Sequence, residues 1–107
     1  MKTKKVFISL PMRGRSKEQI EANIEEIKRR VADKYGDEYQ IEYLHTLVKE
    51  EPHAQNKRLW CLSKSLEILA QADLVVFGEG WQNASGCKIE HACATEYDIP
   101  ILGEEQK

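Results

Sequence analysis

The chain has 107 residues, a formal net charge of −2 and a charged fraction of 32%, with both signs interspersed. That length suits one domain, expected over residues 1–107, with one small core. The mixed charge gives no basic footprint for a nucleic-acid polymer, and no apolar run reaches membrane-spanning length.

Met1-Lys2-Thr3-Lys4-Lys5 is basic, but the apolar run behind it is too short for a signal peptide. "KVFISL" (Lys5 to Leu10) is β-rich and reads as a buried strand, ended by Pro11. After the loop "MRGR", Ser16 starts a helix, and Gln19 three residues on has the spacing of a capping box. Ile20, Ile24, Ile27 and Val31 form one apolar stripe on that helix. Gly36 and Asp37 break it. Tyr39 to Leu44 alternates as a second strand, and His45 to Lys57 is polar and irregular. Lys57 to Ala70 reads as a second helix with Leu59, Leu62, Leu66 and Leu69 as its core stripe. Asp73 to Phe77, "DLVVF", is a third strand, apolar enough to be buried on both faces. The loop Gly78 to Ser85 leads to a third helix over about Gly86 to Tyr97, and Ile99 to Leu102 is a fourth strand.

This β-α-β-α-β-α-β order predicts an α/β fold: a three-layer α/β/α sandwich of the flavodoxin or Rossmann-like kind, with a parallel sheet of about four to five strands. Ligands in such folds gather outside the carboxyl ends of the strands. The first strand brings Ser9 and the loop Pro11 to Ser16 there, the second His45 and Thr46, and the third Glu79, Trp81, Asn83 and Ser85. Asp73 lies at the other end of its strand and reads as a structural turn residue.

"PMRGRS" is suited to an anion. Gly14 permits close backbone approach, Arg13 and Arg15 supply forked donors, and Ser16 opens a helix whose free N–H groups favour negative charge. The plainer reading is a solvated basic turn with an N-cap serine. The motif is neither G-x-G-x-x-G nor a Walker loop, so no dinucleotide or nucleoside triphosphate is specified, and no cofactor is expected.

Glu90, in "SGCKIEHACA", has helical neighbours Gly86, Cys87, Cys93 and Ala94, all small and none a counter-charge. A carboxylate beside an apolar stripe has a perturbed pKa and points to chemistry, or else to a structural hydrogen bond with a loop. Lys88, His91 and Thr95 fall on another face. Trp81 is placed either to stack on a base or to anchor its loop on the core. His45 is placed to orient a carboxylate or meet a phosphate, or is a plain loop residue. Cys87, near a helix start, reads as a small packing residue. Cys87 and His91 share a face that Cys93 leaves, so no metal site is expected. Three cysteines without a CxxC pair fit a reducing cytoplasm, the expected location.

"VFISLPMRGRS" and "LAQADLVVFGEGWQNASGCKIEHACA" together resemble the nucleoside 2-deoxyribosyltransferase-like superfamily, closest to its small DUF4406 branch from bacteria and phages. The likeness covers most of the chain and is weakest between Leu47 and Asn56. It implies a nucleophilic glutamate in a pattern like G-x-x-x-E-x-G/A-x-A, matched by Gly86, Glu90 and Ala92. It also implies that "PMRGR" contacts the 5′ end or phosphate of a nucleoside or nucleotide, and that Ser85 approaches the sugar. Relatives use an Asp in the loop where Asn83 and Ala84 stand here, and often an acid where this chain has Ser65. They complete their pocket across a symmetric interface, so a homo-oligomer is expected. Two functions follow as expectations. One is an N-glycosidic bond enzyme, a deoxyribosyltransferase or 5′-monophosphate N-glycosidase, in which Glu90 attacks the sugar. The other is a nucleotide-binding or sensing module without turnover.

Overall fold

Lys2–Ser9 (β1) forms the middle of a parallel three-stranded sheet, and its carboxyl half, Val6 to Ile8, is apolar on both faces. Tyr39–Tyr43 (β2) pairs along one edge in the register Lys2–Tyr39 to Val6–Tyr43. Leu74–Phe77 (β3) pairs along the other, from Val6–Leu74 to Ser9–Phe77. The protein is seen here as a computed structural model, described over residues 1–44 and 54–104.

Strand alternation divides the core in two. On one face Val6, Leu74 and Val76 pack with Ile27 and Val31 of the helix Lys17–Tyr35 (α1). On the other, Phe7, Val75 and Phe77 pack with Leu69 of the helix Lys57–Leu69 (α2) and with Cys87 and Ala94 of the helix Ser85–Glu96 (α3). The described chain is therefore an α/β fold with three helices on the two faces of a parallel sheet. No described helix is long and apolar enough to cross a membrane.

Local signals act as their chemistry dictates. The Ser16 hydroxyl accepts from Gln19 N–H at 3.1 Å, and the Gln19 side chain accepts from Ser16 N–H at 2.9 Å, which closes the capping box. Asp73 fixes the amino end of the β1–β3 pair: Lys5 N–H donates to its carboxylate at 2.8 Å, and its own N–H donates to Lys5 O at 2.8 Å.

Three expectations change. The first strand begins at Lys2 rather than Lys5 and stops at Ser9, because β2 offers it a partner from the start. The fourth strand is reduced to one bridge, Val75–Ile101, with hydrogen bonds to Pro100 O at 2.9 Å and from Leu102 N–H at 3.0 Å. Gly103, at φ +89°, then turns the backbone away from the sheet. In the second helix, only Leu69 of the expected stripe is buried. Leu62 and Leu66 are half-buried and Leu59 is 59% exposed. The carboxyl end of α2 sits on Phe7 and Val75, whereas Leu62 lies alongside Gly86 of α3 and Leu59 in the first turn meets solvent.

Candidate functional site

The carboxyl ends of β1 and β3 lie level, with Ser9 opposite Phe77, and the two segments leaving them are joined. Gly78 N–H donates to Ser9 O at 2.8 Å. Gly78 is packed so closely that an added Cβ would come within 2.6 Å of Leu10 Cβ, so only glycine fits without a shift. Further out, Arg15 Nη2 donates to Glu79 O at 2.7 Å and lies 2.6 Å from where a Cβ on Gly80 would stand. Gly80 itself has φ +84°, a conformation that favours glycine. The β1–α1 loop is thus fastened over the β3–α3 loop by a guanidinium lying on bare backbone.

Beneath this junction lies Glu90. It is one of two buried polar residues among those described, at 7% exposure, and the other is Ser9, at 3%. Ser9 Oγ–H donates to Glu90 Oε1 at 2.6 Å, a charge-assisted bond between residues 81 apart in sequence. Glu90 Oε2 accepts no hydrogen bond from a described residue and is not sealed from solvent. Burial pushes the Glu90 carboxyl above the usual range, and the Ser9 hydrogen bond opposes this by favouring the charged form. The carboxylate therefore has one oxygen held and one open.

Cys87, one helical turn before Glu90, lies against the same Ser9 hydroxyl. Burial pushes its thiol up and the Glu90 charge adds to this, while Ser9 and the Arg15 charge oppose it. Burial that keeps the thiol protonated favours a packing role. This agrees with the reading of Cys87 as a small packing residue.

The other expected residues are distributed around this pair. Arg13, Gly14, Ser16, Asn83 and Ser85 are exposed, with Gly14 at φ +78° and Ser16 occupied as the helix cap. Gly86 is half-buried in the first turn of α3. His45 lies outside the described residues. Arg15 spends one of its donors on Glu79 O. Trp81 stacks on His91, with centroids 4.2 Å apart and planes 13° off parallel, and packs on Phe77 at 5.2 Å. His91 in turn meets the Glu104 carboxylate at 3.0 Å. Trp81 is therefore a loop anchor with one ring face taken, and His91 is the residue that holds it. Sequence position put His91 on a face away from Glu90 but offered no sign of its partner.

A cleft of 440 Å³ opens at the same sheet edge, on the α1 side. Asn23, Glu26 and Arg30 line one wall and the Phe77–Gln82 segment the other. Ser9 and Glu90 are not part of its lining. Among the described residues no cluster of His, Cys, Asp and Glu is arranged to hold a metal ion. The chain matches none of the protein-family models, curated proteins or solved structures with which it was compared.

The Ser9–Glu90 bond has a direct test. Ser9→Ala removes the one interaction that favours the charged carboxylate, so the Glu90 midpoint is expected to move to higher pH. Carbon-13 NMR titration of the glutamate carboxyls reads this site by site. An unmoved Glu90 midpoint would mean that the bond carries no electrostatic weight.

Proposed function

We propose that the protein acts on the N-glycosidic bond of a deoxynucleoside, nucleoside or 5′-monophosphate, with Glu90 as the nucleophile. The observation that supports this reading is the state of Glu90: a buried carboxylate with Oε1 held by Ser9 and Oε2 open, at the ligand edge of a parallel sheet. Oε2 forms a bond to C1′ as the C1′–N bond breaks. The electron pair leaves with the base, which takes a proton from solvent. Water, or a second base, then attacks C1′ and the carboxylate is released. The transition state has oxocarbenium character, which an adjacent carboxylate stabilises. Ser9 keeps Oε1 occupied and directs Oε2 outward.

In this reading Arg13 and the "PMRGRS" loop meet the 5′ end or its phosphate. Arg15 acts chiefly by holding the loop in place. Ser85, Gly86 and Asn83 border the sugar, and the free face of Trp81 takes the base. The wider fold is then a flavodoxin-like three-layer sandwich in which Ile101 marks the fourth strand position. A homo-oligomer and a cytoplasmic location belong to the same proposal.

The test is incubation with deoxynucleosides, nucleosides and their monophosphates, each with and without an acceptor base, followed by chromatography of the free base. Release or exchange that Glu90→Ala abolishes is the expected result. Thermal stabilisation by a nucleotide without base release from any substrate would overturn the enzymatic reading in favour of the binding module.

A further inference from the structure

We infer that the cleft between α1 and the Phe77–Gln82 segment is a second ligand site, suited to a free α-amino acid with an apolar or aromatic side chain.

Two charges without partners define it. Arg30, half-buried on α1, belongs to one wall of this 440 Å³ cleft, and Glu79 belongs to the other. The natural partner of Arg30 is Glu26, four residues back and one turn away on the same helix. The Glu26 carboxylate is instead taken by Arg29, which donates to it through both Nε and Nη2. The Arg30 guanidinium makes no hydrogen bond or ion pair with any described residue. Glu79 is fastened through its main-chain oxygen, which accepts from Arg15, and its carboxylate has no partner among the described residues. Arg30 and Glu79 do not pair with each other across the gap. One cleft is thus lined by a guanidinium and a carboxylate on opposite walls, each with its hydrogen-bonding capacity unspent.

A ligand with charges of both signs satisfies both walls. A carboxylate matches the forked donors of Arg30, and an ammonium group matches Glu79. An α-amino acid carries the two together. A phosphate ester would meet Arg30 but would also face the Glu26 and Glu79 carboxylates, and a simple amine would leave Arg30 unmatched. Between the charged groups the lining is apolar: Ile27 and Phe77 are buried, and Trp81, whose ring His91 holds in place, stands beside them. That surface suits the ligand's side chain. The volume falls in the range of small-molecule sites, about 300–1,000 Å³. Ser9 and Glu90 are not part of the lining, so the site is separate from that of the proposed reaction, although both border the β3–α3 loop.

Isothermal titration calorimetry of the full chain with L-phenylalanine is expected to show saturable binding. Phenylalanine methyl ester lacks the carboxylate and N-acetylphenylalanine lacks the ammonium group, and each should bind at least about tenfold more weakly. Glycine, which has no side chain to bury, should also bind more weakly. Arg30→Gln should abolish the preference for phenylalanine over its methyl ester, and Glu79→Gln the preference over the N-acetyl form. Matching each variant to the probe that lacks the corresponding group separates a lost contact from a lost fold, and circular dichroism checks the fold directly. No saturable heat up to about 10 mM phenylalanine would overturn the inference. So would binding that neither substitution alters, or blocked forms that bind as tightly as phenylalanine. A deoxynucleoside 5′-monophosphate that binds through Arg30 where phenylalanine does not would overturn it too and give the cleft to the phosphate. The inference is independent of the glycosidic reading. Base release without phenylalanine binding would sink this inference alone, and phenylalanine binding without base release would leave it standing.

Discussion

Glu90→Gln is expected to raise the melting temperature at neutral pH while reducing base release by at least about 10³-fold, the scale on which loss of a nucleophile is felt. The two effects have one origin. Burial raises the carboxyl's midpoint in the folded protein above its unfolded value. Between those two midpoints the native state holds the proton that the unfolded state has released. Stability from this group is thus fully present below the unfolded midpoint and is lost as pH rises through the folded one. The loss amounts to about 1.4 kcal/mol for every pH unit separating the midpoints. Glutamine is neutral throughout and still offers Oε1 to Ser9, so it escapes this cost. The gain in melting temperature should be present at pH 7.5 and shrink toward pH 4. Differential scanning calorimetry of the two proteins across that range reads it. An equal difference at both ends would show that the change acts through packing and not through charge.

Phe7→Ala is expected to cost about 3–5 kcal/mol, the range for deleting a buried aromatic side chain. Domains of this kind have roughly 5–15 kcal/mol in all, so the variant should lie near its unfolding threshold. Phe7 is 1% exposed and stands in the central strand, where it touches the cluster that includes Leu69, Val75 and Cys87. Its loss would open a cavity beneath both α2 and α3, which the sheet, fixed on each side of β1, cannot close. Urea denaturation followed by circular dichroism measures the change. A loss below about 1 kcal/mol would mean that α2 and α3 collapse onto the sheet without it.

Much of this architecture is legible in the sequence where periodicity and partner coincide. Val6 and Phe7 alternate in a run too apolar for an edge, and Ser16 with Gln19 announces a helix start that needs no tertiary help. Position alone puts Asp73 at the end of its strand away from the ligand edge, and its bond from Lys5 N–H agrees. Leu59 belongs to the leucine stripe yet is exposed, because such a stripe states which side of a helix is apolar, not how much of it finds a neighbour. "IPIL" has the composition of a strand but forms one bridge, because Pro100 and Gly103 limit how long it can pair. Glu90 stood out as a carboxylate among small residues, and Ser9 as a hydroxyl ending an apolar strand. That the two form a pair is a product of the β1–β3 register and the seat of α3, which no local pattern encodes. By residue type Arg15 is an anion donor or part of a solvated basic turn, and in the structure one of its donors goes to Glu79 O. Its partner is a main-chain carbonyl, a group present at every position and therefore invisible in side-chain identity.

The guanidinium that rests on Gly80 has a consequence for anyone who would rebuild this protein. The β1–α1 and β3–α3 loops are tailored to each other: one carries the long arm, and the other the side-chain-free surface it lies on. Neither can be transplanted alone. A graft that imports "PMRGRS" onto a scaffold with a substituted residue at the position of Gly80 would leave the arginine without its seat, and a graft of the glycine loop alone would leave an empty shelf. In a loop exchange the two segments form a single exchangeable unit.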